Sequence, residues 1–318
     1  MYHYKDIFFA NPVFSKIPSR RGLSVSTELC GRKFLSPAIP ANMVCSISFE
    51  KAKELSELGY FYILHRFYEY DQILEWIENN QNLSLISISI GANEKDYNLL
   101  DKIKEKNLRV DYITIDIAHG HCLKMKHIVS FIKNTFGDKI KIIAGNIITS
   151  SAVKDFKDWD VDIAKVGIAQ GGACSTYNKT GVGLPQFSAV LSCARDNVLP
   201  VIADGGIREI GDYSKALVAG ATMVMSGSEF VKCVDSPAET YSHKNGGLPN
   251  KKIYFGSASS VNKGSDDYSE GFDEIILDCN NLTYTEYYEK IKQGIQSCMS
   301  YHNIIDITKM KNIKYSII

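Results

Sequence analysis

Residues 199–228 read LPVIADGGIREIGDYSKALVAGATMVMSGS and contain one complete strand–helix–strand unit. The apolar runs Leu199–Ala203 and Thr222–Met225 predict two strands, and the amphipathic segment Ile210–Ala219 predicts a helix that ends before Gly220. Both runs are continuously apolar rather than alternating, which is typical of parallel strands that are covered on both faces. This stretch therefore predicts a repeating βα unit in a parallel sheet.

The same pattern extends from this unit toward the N-terminus. Further strands are predicted at Phe34–Ala41, Tyr60–Leu64, Leu85–Ile90, Tyr112–Ile117, Lys139–Ala144 and Asp162–Gly167. The helices between them are predicted at Phe49–Leu58, Tyr70–Asn79, Asn93–Lys106, Leu123–Phe136, Ser150–Lys157 and Pro185–Asp196. Eight βα units over about 200–250 residues predict an α/β fold of the TIM (β/α)8 barrel type. A doubly wound sheet is the alternative, but no GxGxxG motif follows the first strand.

The pattern changes after the eighth strand. Asp235–Asn281 is rich in Ser, Gly, Asn, Asp and Lys, and a stretch this long is typical of a lid or a disordered segment. The amphipathic segment Thr283–Ser300 then predicts a last helix that covers the barrel. We expect a single domain over residues 1–318, with a flap at about 235–281 and a C-terminal helix at about 283–300.

Composition narrows the class of protein. The 318 residues contain 36 Lys+Arg and 36 Asp+Glu, and a net charge of zero argues against a nucleic-acid partner. No apolar run approaches the roughly 18–20 residues that span a bilayer, and Met1–Asn11 lacks the pattern of a secretory signal. The eight cysteines form no CxxC pair, which argues against a disulfide framework and a zinc site. We therefore expect a cytoplasmic enzyme with no membrane partner.

The loop after the sixth strand contains the first candidate for chemistry. In this barrel type the reactive groups follow the carboxyl ends of the strands. Small residues surround Cys174 there, so its thiol stands in a flexible loop and can act as a nucleophile. The alternative is that Cys174 is one of eight unremarkable cysteines, which is how we interpret the mid-helix Cys193.

Two glycine-rich loops, Ala203-Asp204-Gly205-Gly206-Ile207 and Met225-Ser226-Gly227-Ser228, follow the seventh and eighth strands. Glycines in such loops expose backbone N–H groups to an anion near a helix N-terminus. The Asp204 carboxylate can accept hydrogen bonds from the two hydroxyls of a ribose, or alternatively cap the next helix. Together these loops predict a site for a nucleoside monophosphate whose base lies over Cys174.

A series of ordered motifs extends this interpretation over nearly the whole chain. They are Pro40-Ala41-Asn42-Met43, Ile115-Asp116-Ile117-Ala118-His119-Gly120-His121, Ile143-Ala144-Gly145-Asn146, Lys165-Val166-Gly167-Ile168, Cys174 with Lys179-Thr180-Gly181, Ile202-Ala203-Asp204-Gly205-Gly206-Ile207, Met223-Val224-Met225 and Tyr254-Phe255-Gly256-Ser257-Ala258-Ser259. With these motifs the sequence resembles the IMP dehydrogenase/GMP reductase family.

Two absences favour the reductase branch of that family. The stretch between the second and third strands is too short for the regulatory modules of the dehydrogenases, and no Arg-Tyr dipeptide occurs in the chain. The resemblance implies an oxidoreductase of purine nucleotide salvage that converts GMP to IMP and ammonia with NADPH. It also implies that the Cys174 thiolate attacks C2 of GMP, with Thr176 and the Glu270 of Ser269-Glu270-Gly271 as the proton relay. Without the resemblance, Glu270 is interpreted as a solvated residue of an exposed acidic loop.

The resemblance also implies the residues that bind ligands. Those for GMP or IMP are Asp204, Gly205, Gly206, Gly227, Ser228, Gly256, Ser257 and Ala258. Those for NADPH are Arg66, Asp116, Ile117, Ala118, Ile168 and Ala169, with Ser19 and Arg20 supplied by a neighbouring subunit of a homotetramer. Arginine pairs bidentately with phosphate, which suits Arg20 to a 2′-phosphate, although basic residues are also common in surface segments.

A potassium ion is implied as well, on the backbone carbonyls of Ala169, Gly171, Cys174 and Tyr177. Here the sequence departs from the family pattern, because Ala169 replaces a glycine, Gln170 a proline and Tyr177 an arginine. The small residues that the family places after the C-terminal tyrosine are also missing at Ser300-Tyr301-His302-Asn303.

Two other functions are compatible with the sequence. One is an IMP dehydrogenase-like enzyme that acts on another purine nucleotide, such as a deoxy form. The other is a catalytically silent barrel that binds purine nucleotides.

Overall fold

The structure is a computed structural model that describes residues 1–241, 251–263 and 269–318. Its strands are β1 Ile7–Phe8, β2 Thr27–Leu29, β3 Arg32–Phe34, β4 Ala38–Pro40, β5 Ser87–Ile90, β6 Tyr112–Asp116, β7 Lys141–Ile147, β8 Ile163–Val166, β9 Val201–Asp204, β10 Met223–Ser226, β11 Lys251–Tyr254, β12 Ile275–Asp278 and β13 Ser316–Ile317. Its α-helices are α1 Phe49–Leu58, α2 Tyr70–Asn79, α3 Glu94–Glu105, α4 Leu123–Phe136, α5 Ser150–Asp158, α6 Thr176–Thr180, α7 Gln186–Ala194, α8 Ile210–Val218, α9 Ser228–Val231, α10 Ser260–Lys263 and α11 Tyr284–Tyr301.

Seven of these strands form one parallel sheet in the order β4-β10-β9-β8-β7-β6-β5. The first of them in the chain, β4, pairs with the last, β10, with Val224 opposite Ala38. Pairing between the first and last strands is what closes a barrel, so the predicted TIM barrel is confirmed. At the other edge Leu64 bridges Ile88 in parallel, and the Leu64 N–H donates to the Ser87 carbonyl at 3.0 Å. The predicted strand Tyr60–Leu64 is thus reduced to one bridge.

The prediction of one continuous strand over Phe34–Ala41 is wrong. The segment divides into β3, which pairs antiparallel with β2, and β4, which belongs to the barrel. Pro37 lies between them and has no backbone N–H with which to continue a ladder. Its carbonyl accepts the Val224 N–H at 2.8 Å, so the barrel pairing begins at this proline.

The helices follow the predicted segments closely because capping residues mark their ends. α1 begins after Ser48, whose side chain accepts the Lys51 N–H at 3.2 Å, and it ends at Gly59, whose φ is +81°. A residue without a Cβ takes that left-handed conformation without strain. α4 also has the predicted limits.

The core lies inside the barrel and between the barrel and its helices. Every residue of β4, β5, β8 and β10 is buried, as the continuous apolar runs predict. The described residues contain no helix long and apolar enough to cross a membrane. All eight cysteines lie in the described residues, and all are free thiols, as predicted.

The segment after β10 leaves the barrel pattern. β11 and β12 pair antiparallel, with Tyr254 opposite Ile275. Of the predicted flap at 235–281, residues 242–250 and 264–268 lie outside the described residues. The chain then enters α11, whose Thr283 cap accepts the Glu286 N–H at 3.3 Å, and α11 packs against α8.

Candidate active site

A cavity of about 470 Å³ opens at the carboxyl ends of the barrel strands. Its volume falls in the range of about 300–1,000 Å³ that is usual for small-molecule sites. The wall combines residues that follow the barrel strands with residues of the flap. Of the predicted site residues, it brings together Arg66, Asp116, Ile117, Ala118, Ile168, Ala169, Gly171, Cys174, Thr176, Asp204, Gly256, Ser257, Ala258 and Glu270.

Cys174 lies between β8 and α6, in the glycine-rich loop that the sequence singled out. Its side chain is half-buried and lines the cavity. The thiol donates a hydrogen bond to the Thr176 hydroxyl, with 3.2 Å between Sγ and Oγ1. A hydroxyl this close to the sulfur can pass a proton between the thiol and a ligand atom above it.

The flap places Glu270 beside this loop through backbone hydrogen bonds. The Phe272 N–H donates to the Ala173 carbonyl at 3.0 Å, and the Ser175 N–H donates to the Glu270 carbonyl at 2.8 Å. On its other side the Glu270 N–H donates to the Ala258 carbonyl at 3.2 Å. Residues 269–272, which we call the flap segment, are thus held by backbone hydrogen bonds to residues 173–175 and 256–258, with one antiparallel bridge between Cys174 and Gly271.

A lysine of α6 also holds the flap segment. The Lys179 ammonium donates to the Ser269 carbonyl, next to Glu270. α6 begins at Thr176, two residues after Cys174. The loop with the thiol and the segment with the carboxylate are therefore joined by a side chain as well as by backbone.

The cavity is also lined by one ammonium, two carboxylates and two amides, which we call the charged floor: Asn42, Asp116, Asn146, Lys165 and Asp204. The Lys165 ammonium lies 2.8 Å from Asp116 Oδ1 and 2.6 Å from Asp204 Oδ2, and the lysine is only 2% exposed. The Asn42 amide donates to Asp116 Oδ2 at 3.1 Å, and the Asn146 amide donates to Asp204 Oδ2 at 2.9 Å. The floor thus joins residues from five barrel strands or the loops after them.

For Asp116 and Lys165 these contacts favour the charged form in spite of burial. Burial alone raises the pKa of Asp116, but the ammonium of Lys165, the Arg66 guanidinium and the Asn42 amide outweigh it and lower that pKa. For Lys165, burial alone lowers the pKa, and the two carboxylates reverse the effect and raise it. Asp116 and Lys165 therefore both carry their charges at neutral pH.

Lys165 and Asn146 line the cavity but were not predicted as site residues, although both occur in the motifs of the family resemblance. The available signal was a lysine inside the apolar run of β8, where an unpaired charge is very costly. Such a residue requires carboxylate partners, but the sequence does not indicate which of the 36 acidic residues supply them.

Tyr254 was also missed as a residue of the cavity wall. It is 3% exposed, and its hydroxyl lies against Gly227, where a Cβ would come within 2.7 Å of the hydroxyl oxygen. Its hydroxyl also lies 3.9 Å from the Met43 sulfur. A side chain at position 227 would displace this ring, so the predicted phosphate loop must have glycine there.

Four of the predicted nucleotide residues lie beside the cavity rather than in its lining. Gly205 adjoins the lining, because a Cβ there would lie 3.0 Å from the Gly171 nitrogen, and its N–H donates to the Met225 carbonyl at 3.2 Å. Gly206 follows it, and Gly227 and Ser228 form the start of α9.

Ser19 and Arg20 lie elsewhere, on the outer surface next to α11. Arg20 donates to the Ser297 hydroxyl at 3.1 Å, and Ser19 accepts the Arg21 N–H at 3.3 Å. Within one chain the structure does not bring this pair to the cavity.

In the predicted potassium loop, one residue has the expected backbone conformation and two of the four carbonyls accept hydrogen bonds within the loop and the helix that follows it. Ala169 adopts a left-handed φ of +65°, the conformation that the glycine of the family pattern favours. The Gly171 carbonyl accepts the Cys174 N–H at 3.1 Å, and the carbonyl of the exposed Tyr177 accepts the Gly181 N–H at 2.9 Å. The described residues contain no cluster of His, Cys, Asp and Glu that could hold another metal ion.

Comparison with known proteins extends over the same full length. Residues 2–317 match the family model of the IMP dehydrogenase / GMP reductase domain. The GMP reductase of Mesoplasma florum is 38% identical over 320 residues, covering 100% of this chain and 98% of that protein. The GMP reductases of Mycoplasma mycoides and Bacillus subtilis are 37% and 36% identical, covering 99% and 100% of this chain and 97% and 96% of those proteins. This chain belongs to the IMP dehydrogenase/GMP reductase family.

Proposed function

We propose that this chain is a GMP reductase, which converts GMP to IMP and ammonia with NADPH through a covalent intermediate on Cys174. The observation that supports this most directly is the meeting of Cys174, Thr176 and Glu270 at one cavity above a charged floor. The full-length similarity to proteins named GMP reductase supports the same reaction.

The reaction begins at the sulfur. The Cys174 thiolate attacks C2 of the guanine ring, and the exocyclic amine leaves as ammonia to give a thioimidate. An amine leaves readily only when it is protonated, so Thr176, 3.2 Å from the sulfur, and Glu270 in the same wall deliver the proton. When bound, NADPH supplies the hydride that reduces C2, and IMP and the thiolate then separate.

The floor and the glycine loops hold the nucleotide. Asp204 accepts hydrogen bonds from the ribose hydroxyls, for which Oδ1 remains available because both of its contacts with described residues fall on Oδ2. Backbone N–H groups of Gly206 and of residues 227–228 receive the phosphate. Gly256, Ser257 and Ala258 line the same cavity.

The cofactor takes the side of the cavity lined by Asp116, Ile117, Ala118, Ile168 and Ala169. Arg66 fits a ligand that carries acceptor oxygens, because it lines the cavity and its buried Nε has no hydrogen-bond partner among the described residues. Ser19 and Arg20 bind the adenosine end from a neighbouring subunit of a homotetramer, which accounts for their place on the outer surface. Light scattering measures this assembly, and a fully active monomer would contradict it.

Three further features belong to the same proposal. The chain is one barrel domain with a flap, and it acts in the cytoplasm. A potassium ion binds the carbonyls of residues 169, 171, 174 and 177, supported by the left-handed backbone of Ala169. Replacing potassium chloride by choline chloride at equal ionic strength is expected to lower turnover, and an unchanged rate would exclude the ion.

One coupled assay tests the reaction. Purified chain is expected to consume NADPH, followed by its absorbance, when GMP is added, and Cys174→Ala is expected to abolish the signal. Cys193→Ala, in a helix and 2% exposed, is the matched control with an intact rate. NADH formation from IMP and NAD instead supports the dehydrogenase, and nucleotide binding without turnover supports the silent barrel.

A further inference from the structure

The Lys165 ammonium is shared between two parts of the cavity. Its partner Asp116 ends β6 on the side assigned to the cofactor, and its partner Asp204 ends β9 on the side assigned to the ribose. The lysine itself comes from β8 and is 2% exposed. One buried cation therefore touches a carboxylate of each ligand subsite.

Each carboxylate keeps one oxygen on Lys165 and has one amide partner. Asp116 uses Oδ1 for Lys165 and Oδ2 for Asn42, whereas Asp204 uses Oδ2 for both Lys165 and Asn146. Two contacts fix the rotation of a carboxylate more firmly than one. Without the ammonium, each carboxylate would retain a single neutral donor.

We propose that Lys165 is a positioning residue that orients Asp116 and Asp204 together and so couples the nucleotide subsite to the cofactor subsite. This inference rests on the proposed function, because it takes the two subsites from that assignment. The charged groups that face the Lys165 ammonium are Asp116 and Asp204, and the nearby Arg66 guanidinium helps to lower the pKa of Asp116.

A second buried lysine provides a matched control. The Lys51 ammonium also lies between two carboxylates, 2.6 Å from Glu54 and 2.9 Å from Asp235, and Lys51 is 7% exposed. It does not line the cavity. Lys51→Met thus removes a comparable ion pair with no direct effect on the site.

The first test measures binding by calorimetry, with GMP, 2′-deoxy-GMP and NADPH as the probes. Lys165→Met is expected to weaken the binding of GMP by at least about tenfold, as is usual when one partner of a buried charge pair is removed. The same variant is also expected to weaken the binding of NADPH. It should reduce the preference for GMP over 2′-deoxy-GMP, because a misaligned Asp204 no longer accepts a hydrogen bond from the 2′-hydroxyl of the ribose. Lys165→Arg, which keeps the charge, is expected to recover part of the loss.

Lys51→Met is expected to lower the melting temperature but leave all three affinities and the GMP preference unchanged. If Lys165→Met instead behaves like Lys51→Met, or weakens GMP and 2′-deoxy-GMP equally, the inference is overturned.

A second test does not depend on ligands. Crystal structures of the free wild-type and Lys165→Met chains are expected to show both carboxylates rotated in the variant, and unchanged carboxylates would refute the positioning role. A wild-type chain that binds neither GMP nor NADPH would contradict the proposed function, and these structures would still decide whether Lys165 orients the two side chains.

Discussion

The charged floor and the flap segment both contribute to the lining of the cavity and are built differently. The floor depends on side-chain contacts from separate barrel strands, centred on Lys165, which is 2% exposed. The flap segment depends on backbone hydrogen bonds to residues 173–175 and 256–258, and Glu270 is partly exposed. A barrel core opens only with global unfolding, whereas a segment held by a few backbone hydrogen bonds opens locally.

We infer from this difference that the two regions have different roles in the reaction. A stiff floor suits binding, since its groups need not reorganise when the ligand enters. A segment that opens locally suits the acid–base step, because the cavity must admit GMP and release ammonia and IMP. We therefore expect floor substitutions to change affinity and flap substitutions to change turnover, and the following experiments test that division.

The largest effect is expected at the nucleophile between the two regions. Cys174→Ala should lower kcat by about 10⁴-fold or more, the usual cost of removing a covalent nucleophile. GMP affinity, measured by calorimetry, should stay within threefold because the floor is intact (roughly 0.6 kcal/mol). NADPH consumption above one hundredth of the wild-type rate would contradict covalent catalysis.

The next largest effect is expected in the flap segment. Glu270→Gln should lower kcat by about 100-fold, within the usual range for a general acid, while KM for GMP changes little. The measurement is initial rate against GMP concentration. Glu274→Gln, an exposed glutamate that does not line the cavity, is the control. An increase in KM with unchanged kcat would place Glu270 in binding instead.

The floor should respond in the opposite sense. Asp204→Asn should raise KM for GMP by roughly 10- to 100-fold, as expected for the loss of hydrogen bonds to a charged group, with a smaller change in kcat. Asp111→Asn is the control, since Asp111 lies before β6 at the other end of the barrel and accepts the Ile86 N–H at 2.7 Å. If Asp204→Asn affects only kcat, the proposed division between a floor that binds GMP and a flap segment that supports turnover is wrong.

A smaller effect on turnover is expected where α6 holds the flap segment. Lys179→Met should lower kcat by roughly three- to tenfold, the value of one hydrogen bond from a charged group at the surface. Lys154→Met, at an exposed lysine paired with Asp196, should leave kcat unchanged. Steady-state rates measure this effect, and equal kcat values for the two variants would show that Lys179 does not support turnover.

The smallest effect on activity, but a measurable one on stability, is expected at His65. Burial lowers the pKa of His65 to about 4, below its unfolded value near 6.5, so the unfolded chain binds the proton more readily. The contribution of the neutral His65 to the free energy of unfolding is fully present above pH 6.5. It is lost as pH falls toward 4, and the loss reaches about 3 kcal/mol.

Urea denaturation at several pH values measures this contribution. His65→Phe should show a shallower loss of stability between pH 6.5 and 4 than the wild type. Parallel pH profiles for the two chains would contradict the assignment. The variant also loses the bond in which the His65 Nδ1 accepts the Phe67 N–H at 3.1 Å, so its stability at pH 7.5 is the reference.

Much of the fold could be predicted because its signals are local. α1 is bounded by Ser48 and Gly59, whose cap and left-handed turn are properties of a few adjacent residues. β4 could not be delimited, because Pro37 ends one ladder and begins another only once β10 lies beside it. Tyr60–Leu64 had the composition of a strand, yet only Leu64 forms a bridge.

The sequence by itself determined the order of strands and helices and the glycine-rich loop around Cys174, because periodicity and turn chemistry are written in neighbouring residues. Only the tertiary structure decided that Lys165 lies between Asp116 and Asp204, 49 residues before it and 39 after it. The physical reason is that a buried charge requires partners, and the closure of the barrel, not proximity along the chain, selects which carboxylates come within hydrogen-bond distance.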